Sequence, residues 1–460
     1  MTPYILRYVS REEYGLYLLC IDFLSWMSFL QLGTAKVLES TTGKLIGEEN
    51  YGEINKAYNT TFFFQLGIAL FIIPFYYILV TTGIQKNSFH EAFPVIIIIF
   101  SVSAALELIR QTFSALLIAS KKIYIDNSIQ IVFNLLNFGL ILLLVPYLGL
   151  LGLAMINIMS IALMLIRSNI RVRHVYPAIR TRWASFDRKQ LVYFLKNGIY
   201  FSLGTIATIL IMKMDSYFIG LKIDFATVAY YFITIKLFVI SEKLIGTLLN
   251  NFRPYIAQMF GRKEFANMLS FYELFIPVTT ATACVIVSVL MVLNQYFVNY
   301  WVGADFFLGS EFGNYYAVFI IFNLMALPCR IILSATLYRL REHSFLRVAE
   351  GILRFLFIVS LFAIFHLKVL PISSLIASII FGFVSLNFLV RHFFQSRELK
   401  YSNKHYLMVV AIISALLIST LTGLTWLLPS ILLLFGIGVL FYNYQYKRQQ
   451  MLTLIKLIIK

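Results

Sequence analysis

Apolar runs of about twenty residues recur from one end of the chain to the other, each closed by a short polar connection. A run of that length crosses a hydrocarbon core of about 30 Å as an α-helix. The pattern predicts thirteen spans, near 14–36, 61–84, 92–118, 123–146, 150–166, 198–220, 226–250, 272–298, 312–337, 347–367, 371–391, 405–427 and 429–445. Pro146, Gly149, Pro371 and Pro429 punctuate the tightest connections. No connection is long enough to fold as a soluble domain. The expected fold class is an all-α polytopic membrane protein.

Composition agrees with that pattern. Hydrophobic residues make up 60% of the chain and charged ones 13%, where a soluble chain carries about 25% charge. No stretch has the form of a cleavable signal peptide. Cys20, Cys284 and Cys329 lie in apolar runs without CxxC spacing, so they read as small core residues rather than a disulfide or a metal site. No cofactor is expected. HExxH is absent, and TGKLIG around Gly43-Lys44 lacks the first Gly and the hydroxyl of a phosphate loop.

Charge then orients the spans. One set of alternate connections holds Lys36, Lys44, Lys56, Lys121, Lys122, Arg253, Arg262, Lys263, Arg339, Arg341, Arg347, Arg391, Arg397, Lys400 and Lys404. The same set includes the segment RSNIRVRHVYPAIRTRWASFDRKQLVYFLK and the tail with Lys447, Arg448, Lys456 and Lys460. The opposite set has only Arg7, Arg11, Lys86, Lys222 and Lys368. Cytoplasmic loops carry the excess of Lys and Arg, so the first set and the C-terminus are expected in the cytoplasm. The net charge of +17 is then topology plus attraction to anionic lipid, and no nucleic acid partner is expected. The tail YKRQQMLTLIKLIIK is basic and apolar and suits the inner leaflet surface.

The spans repeat. A shift of 213 residues sets 226–250 over the first span and 272–298 over the second, and from the fourth span the shift becomes 224. The span at 198–220 has no counterpart beyond YILR, so the first half is one helix short. The organisation expected is an N-terminal lobe at 1–166, a basic linker at 167–197, a C-terminal lobe at 198–391, a helix pair at 392–445 and a basic amphipathic tail at 446–460. Two parallel halves suggest lobes around a cavity. Charge pattern and repeat both ask for about twenty further residues upstream, and the expectation is an upstream start or a truncation.

Several stretches carry a family likeness: REEYGLYLL followed by LGTAKVL, PYLGLLGLAMINIMSIALML, and KNGIYFSLGTIATILIMKMDSYFIGLKIDFATVAYYF. In these the chain resembles the polysaccharide-biosynthesis flippases. These Wzx-type O-antigen and repeat-unit transporters belong to the multidrug/oligosaccharidyl-lipid/polysaccharide exporter superfamily, with the MATE exporters and MurJ. The likeness covers essentially the whole chain through diffuse motifs. It departs in lacking the family's first helix and in having Val228-Ala229-Tyr230 where a Gly usually precedes the Tyr. It implies two MATE-like bundles plus a C-terminal helix pair in the inner membrane. The implied substrate is an undecaprenyl-diphosphate-linked oligosaccharide, with polysaccharide polymerase and co-polymerase proteins and membrane lipids as partners. A MATE-type ion-coupled exporter is the nearer alternative. A membrane polysaccharide polymerase or ligase is the further one, and the short external connection near 299–311 argues against it; no enzyme activity is expected.

Ionisable residues inside spans are the candidate site, because each costs a few kcal/mol in apolar surroundings. A lipid diphosphate needs fixed cations to replace its lost hydration. Lys213, Lys236, Lys243, Arg110 and Arg330 are the expected substrate contacts. Lys236 and Lys243, seven apart, share one helical face; snorkelling of Lys243 to the surface is the bland alternative. Asp22, Asp215 and Glu107 are the coupling or gating candidates, and Asp215 matches the acidic position of the resembling family. The shift sets Asp22 beside Lys236, suggesting a charge pair that breaks when substrate or a proton arrives. Glu107 with Arg110, and Glu350 with Arg354, also read as internal neutralisation. Tyr200, Tyr217, Tyr230 and Tyr231 are the sugar-contact candidates.

Overall fold

A computed structural model describes residues 2–27, 29–47, 50–82, 93–120, 123–250, 252, 256, 259–260, 263–336, 338–400 and 405–459. Of the cations named above, Lys86, Lys121, Lys122, Arg253, Arg262, Lys404 and Lys460 lie outside the described residues, as do the side chains of Lys44, Tyr200 and positions 446–460. The chain forms two compact units, Met1–Ala229 and Tyr230–Lys460.

Among the described residues, eight helices are long and apolar enough to cross a membrane, or nine if the 43° bend between Arg188–Ile199 and Phe201–Met212 lies within one span. This is an all-α multi-pass membrane fold. The difference from thirteen predicted spans has two physical causes. Two of the eight hold two predicted spans each, and other predicted spans are broken into pieces too short to cross alone.

Unit 1 opens with α1 (Thr2–Ile5) and α2 (Arg11–Met27). The SREE segment that begins α2 is a reciprocal capping box. The Ser10 N–H donates to Glu13 Oε2 at 2.9 Å, and the Glu13 N–H donates to Ser10 Oγ at 3.2 Å. α3 (Thr34–Gly47), α4 (Tyr51–Thr82) and α5 (Phe93–Ala119) follow. The next helical segment, α6, runs from Ile123 to Val175 and would be about 80 Å long if straight. It turns instead at Gly149, where φ is 51° and ψ is −127°. Ser160 Oγ donates to Asn137 Oδ1, so residues on either side of the turn face one another and the two arms form a hairpin.

α7 (Arg188–Met212) and α8 (Met214–Lys222) pack within unit 1, against α2, α3 and α4. They correspond to the span that the repeat leaves without a counterpart. Glycines allow the close approach. At Gly33, with φ at +67°, a Cβ would lie 2.3 Å from the Gly198 carbonyl oxygen. At Gly15 it would lie 1.7 Å from the Phe225 oxygen. Backbone meets backbone there, so any larger side chain would push away α7 at Gly33 and the segment starting at Phe225 at Gly15. α9 (Phe225–Thr234), capped by Asp224 Oδ1 on the Thr227 N–H at 2.6 Å, crosses the division between the units.

The basic linker is docked on α4. Asn59 Nδ2 donates to the Arg180 carbonyl at 2.9 Å, and the Arg182 N–H donates to Asn59 Oδ1 at 2.7 Å. The Arg180 N–H donates to Asn55 Oδ1 at 3.0 Å, and the Asp187 N–H donates to Thr60 Oγ1 at 3.0 Å. Two amides one turn apart thus satisfy an extended backbone that has no ladder of its own.

Unit 2 continues with α10 (Lys236–Asn250), α11 (Phe265–Trp301), α12 (Ser310–Met325) and α13 (Leu327–Thr336). The run from Ser310 to Thr336 is the most buried crossing, 83% of its apolar window being inside the protein. α14 (Leu340–Phe365) and α15 (Val369–Ala377) meet at His366, whose φ of 47° and ψ of −134° nearly copy Gly149. Under the 224-residue shift His366 falls on Leu142, seven residues before Gly149. A π-helical stretch, Ser378–Ser385, leads into α16 (Leu386–Gln395). α17 (His405–Thr422) and α18 (Leu427–Ile459) close the chain, and α18 lies along α11. Gly436 permits that: a Cβ would sit 2.8 Å from the Ala281 oxygen and from Val285 Cγ2.

Candidate functional site

The candidate residues concentrate where helices are interrupted. A break inside a membrane protein frees backbone groups that must find protein partners or line a water-filled cavity. α7 stops at Lys213 (φ −125°, ψ −6°) and α8 restarts at Met214. α9 and α10 are separated by Ile235. Ala326 separates α12 from α13, and Pro328, which has no N–H, prevents one continuous ladder.

In unit 1 the break at Lys213 is closed by charge. Lys213 Nζ donates to Asp22 Oδ1 at 2.5 Å, and Ser216 Oγ donates to Asp22 Oδ2 at 2.7 Å. Asp22 is 3% exposed, and both of its oxygens are engaged. The cation on Asp22 within unit 1 is Lys213. Asp215 is also buried, on the first turn of α8. Trp26, Phe23 and Tyr217 pack edge-on or tilted against one another beside the cluster, with ring centroids 4.8–5.8 Å apart. On uninterrupted α5, Arg110 grips Glu107 with two hydrogen bonds of 2.7 Å, the planar fork that internal neutralisation asks for.

In unit 2 the break at Ile235 is stitched by neutral groups. Asn294 Nδ2 donates to the Thr234 carbonyl at 2.9 Å, and the Leu308 N–H donates to Thr234 Oγ1 at 3.1 Å. The break before Pro328 is capped by Arg330. Its guanidinium donates to Asn323 Oδ1 at 2.8 Å and to the Asn323 carbonyl, while Asn323 Nδ2 donates to Glu242. Arg330 therefore satisfies a helix terminus and ties α13 to α10 through an amide.

Nearby, Glu350 accepts from Arg347 at 2.5 Å and from Ser378 Oγ at 3.3 Å. Its predicted i, i+4 neighbour Arg354 is 2% exposed. Gly382 leaves room for the carboxylate, since a Cβ there would stand 3.1 Å from Glu350 Oε1.

α10 is different. Its inner face carries Phe238, Ser241, Glu242 and Ile245. Its exposed face carries Lys236, Ile240, Lys243, Leu244, Thr247 and Leu248, a stripe at helical spacing. Neither lysine has an ion pair or side-chain hydrogen bond among the described residues. Here are two fixed cations on one face, flanked by exposed leucine and isoleucine.

Ser216 and Asn323 complete these clusters and were not among the candidates, whereas Glu242 is one of the ionisable residues inside the spans. Ser216, three residues after Lys213 in an apolar run, is a signal that hydropathy passes over. Among the described residues, no group of three His, Cys, Asp or Glu side chains is placed to hold a metal ion.

No family model matches the chain, and no curated protein matches it. Solved structures do. One, described as the inward-facing conformation of a multidrug resistance MATE family transporter of the MOP superfamily, aligns with a TM-score of 0.66 at 13% identity. That alignment covers 85% of this chain and 94% of that one. The fold is that of MOP-superfamily transporters. The lipid II flippase MurJ in an inward closed conformation aligns over 96% of this chain and 94% of that chain, with a TM-score of 0.58 and 18% identity. A Pyrococcus furiosus MOP transporter, described as having a binding pocket of reverse polarity that suggests a different function, gives a TM-score of 0.56 at 14% identity, covering 86% of this chain and 96% of that one. At these identities the likeness speaks for the fold.

Proposed function

We propose that the chain is a transporter, not an enzyme, that moves an undecaprenyl-diphosphate-linked oligosaccharide repeat unit across the inner membrane for O-antigen, capsule or exopolysaccharide biosynthesis. The observation that carries this reading is the exposed face of α10. Lys236 and Lys243 stand about 10 Å apart along the helix, without partners among the described residues. A diphosphate leaving water needs such cations, and a polyprenyl chain needs the apolar surface of Ile240, Leu244 and Leu248 beside them. The likeness to a lipid II flippase supports a lipid-linked substrate.

The other cations play a later part in this reading. Lys213, Arg110 and Arg330 hold protein acceptors, and they reach a diphosphate only after those partners let go. Protonation of Asp22 would release the Lys213 ammonium, which makes Asp22, with Asp215 and Glu107, the coupling group. Export of a cationic drug, the MATE-type alternative, asks for an acid turned to the cavity. Asp22 and Glu107 instead accept from Lys213 and Arg110.

The test is complementation of a flippase-deficient strain. The Lys236→Ala/Lys243→Ala variant, present at wild-type level, is expected to export no surface glycan. Full export by that variant would remove the basis of the reading.

A further inference from the structure

The α6 hairpin holds a cavity that none of the groups above uses. It measures about 600 Å³ and is lined by Ile125, Ser128, Ile129, Val132, Phe133, Arg167 and Arg171. That volume falls within the roughly 300–1,000 Å³ usual for ligand pockets. The first arm contributes one helical face, at i, i+3, i+4, i+7 and i+8. The second contributes two arginines one turn apart, so both can point the same way. The walls are apolar and the rim is cationic.

Both arginines are exposed, and neither has a hydrogen bond or ion pair among the described residues. The first turn of α6 begins at Ile123, so the positive end of that helix lies at the same rim. Two guanidiniums side by side repel unless an anion bridges them, and their planar forks fit phosphate oxygens. The positive-inside pattern sets this rim at the cytoplasmic leaflet.

We propose that the α6 groove binds an anionic phospholipid of the inner leaflet, its phosphate held by Arg167 and Arg171 and an acyl chain lying along Ile129, Val132 and Phe133. A free phosphate would use the arginines and leave the apolar walls empty, which is why a lipid is the occupant. The site is independent of what the chain transports. It lies on the hairpin of unit 1, whereas the proposed substrate lysines are on α10.

Native mass spectrometry of the full chain, titrated with phosphatidylglycerol or phosphatidylethanolamine, tests this. Phosphatidylglycerol should bind preferentially, and Arg167→Gln/Arg171→Gln should weaken it at least about tenfold. Val132→Trp, which keeps both arginines and fills the groove, should weaken it as well. Arg180→Gln/Arg182→Gln, on the docked linker, should leave it unchanged. Unchanged binding in the Arg167/Arg171 variant would overturn the site. So would equal affinity for the two lipids, equal loss in the linker variant, or displacement by millimolar inorganic phosphate.

Discussion

The break at Lys213 in unit 1 and the start of α10 in unit 2 solve similar problems in opposite ways. At Lys213 the chain interrupts a helix and spends its charges on each other: ammonium, carboxylate and hydroxyl saturate one another around Asp22. At Ile235 the interruption is repaired by Thr234, Asn294 and Leu308, none of them charged. The two lysines of α10 are thereby left over, while Glu242 is held by Asn323. A cation with a partner is part of the architecture, whereas one kept without a partner beside apolar surface is available to a ligand. This contrast, rather than the number of embedded cations, separates Lys236 and Lys243 from Lys213, Arg110 and Arg330.

The largest effect that sharpens the contrast is on transport. Removing both α10 lysines should cost about a hundredfold or more in rate, from two lost charge-assisted contacts of roughly 1.5–3 kcal/mol each. The thermal midpoint should stay within a degree or two of wild type, since exposed substitutions usually change stability by no more than about 0.5 kcal/mol. Lys213→Ala should do the reverse of the second result. It leaves the Asp22 carboxylate buried with Ser216 alone, a loss of about 3 kcal/mol by analogy with broken buried pairs. Denaturant or thermal unfolding in detergent reads it, and Asp22→Asn/Lys213→Met should recover most of the loss. If the single and double variants unfold alike, the pair is not architectural.

Smaller effects probe the frame around both regions. Gly436→Leu forces a side chain into the Ala281 carbonyl and should cost about 1–3 kcal/mol as overpacking, read as a lowered midpoint. Asn59→Ala removes two hydrogen bonds that hold the linker and should cost about 1–2 kcal/mol. Limited proteolysis after Arg180 or Arg182 should then speed up. His366→Gly, which relieves a positive φ, should stabilise by about 1 kcal/mol.

Hydropathy made the helices legible, because a membrane leaves few ways to hide backbone polar groups. The capping box at Ser10 and Glu13, the hairpin apex at Gly149 and the interruption at Pro328 are local signals of the same kind. The breaks at Lys213 and Ile235 carry no proline or glycine. They depend on groups far along the chain, Asp22 for one and Asn294 for the other, which a linear reading does not bring together. The repeat set Asp22 beside Lys236 by depth alone. Depth says nothing of the partner, and within unit 1 Asp22 accepts from Lys213. Packing of α7 within the first unit was likewise invisible to spacing, because it turns on backbone contact between Gly33 and Gly198.

The most direct measurement is transport of a polyprenyl-diphosphate-linked glycan by the purified protein in proteoliposomes, comparing wild type with Lys236→Gln/Lys243→Gln. The account predicts that the variant folds, inserts and unfolds like wild type yet moves no glycan above the protein-free rate. Wild-type transport by that variant would contradict it.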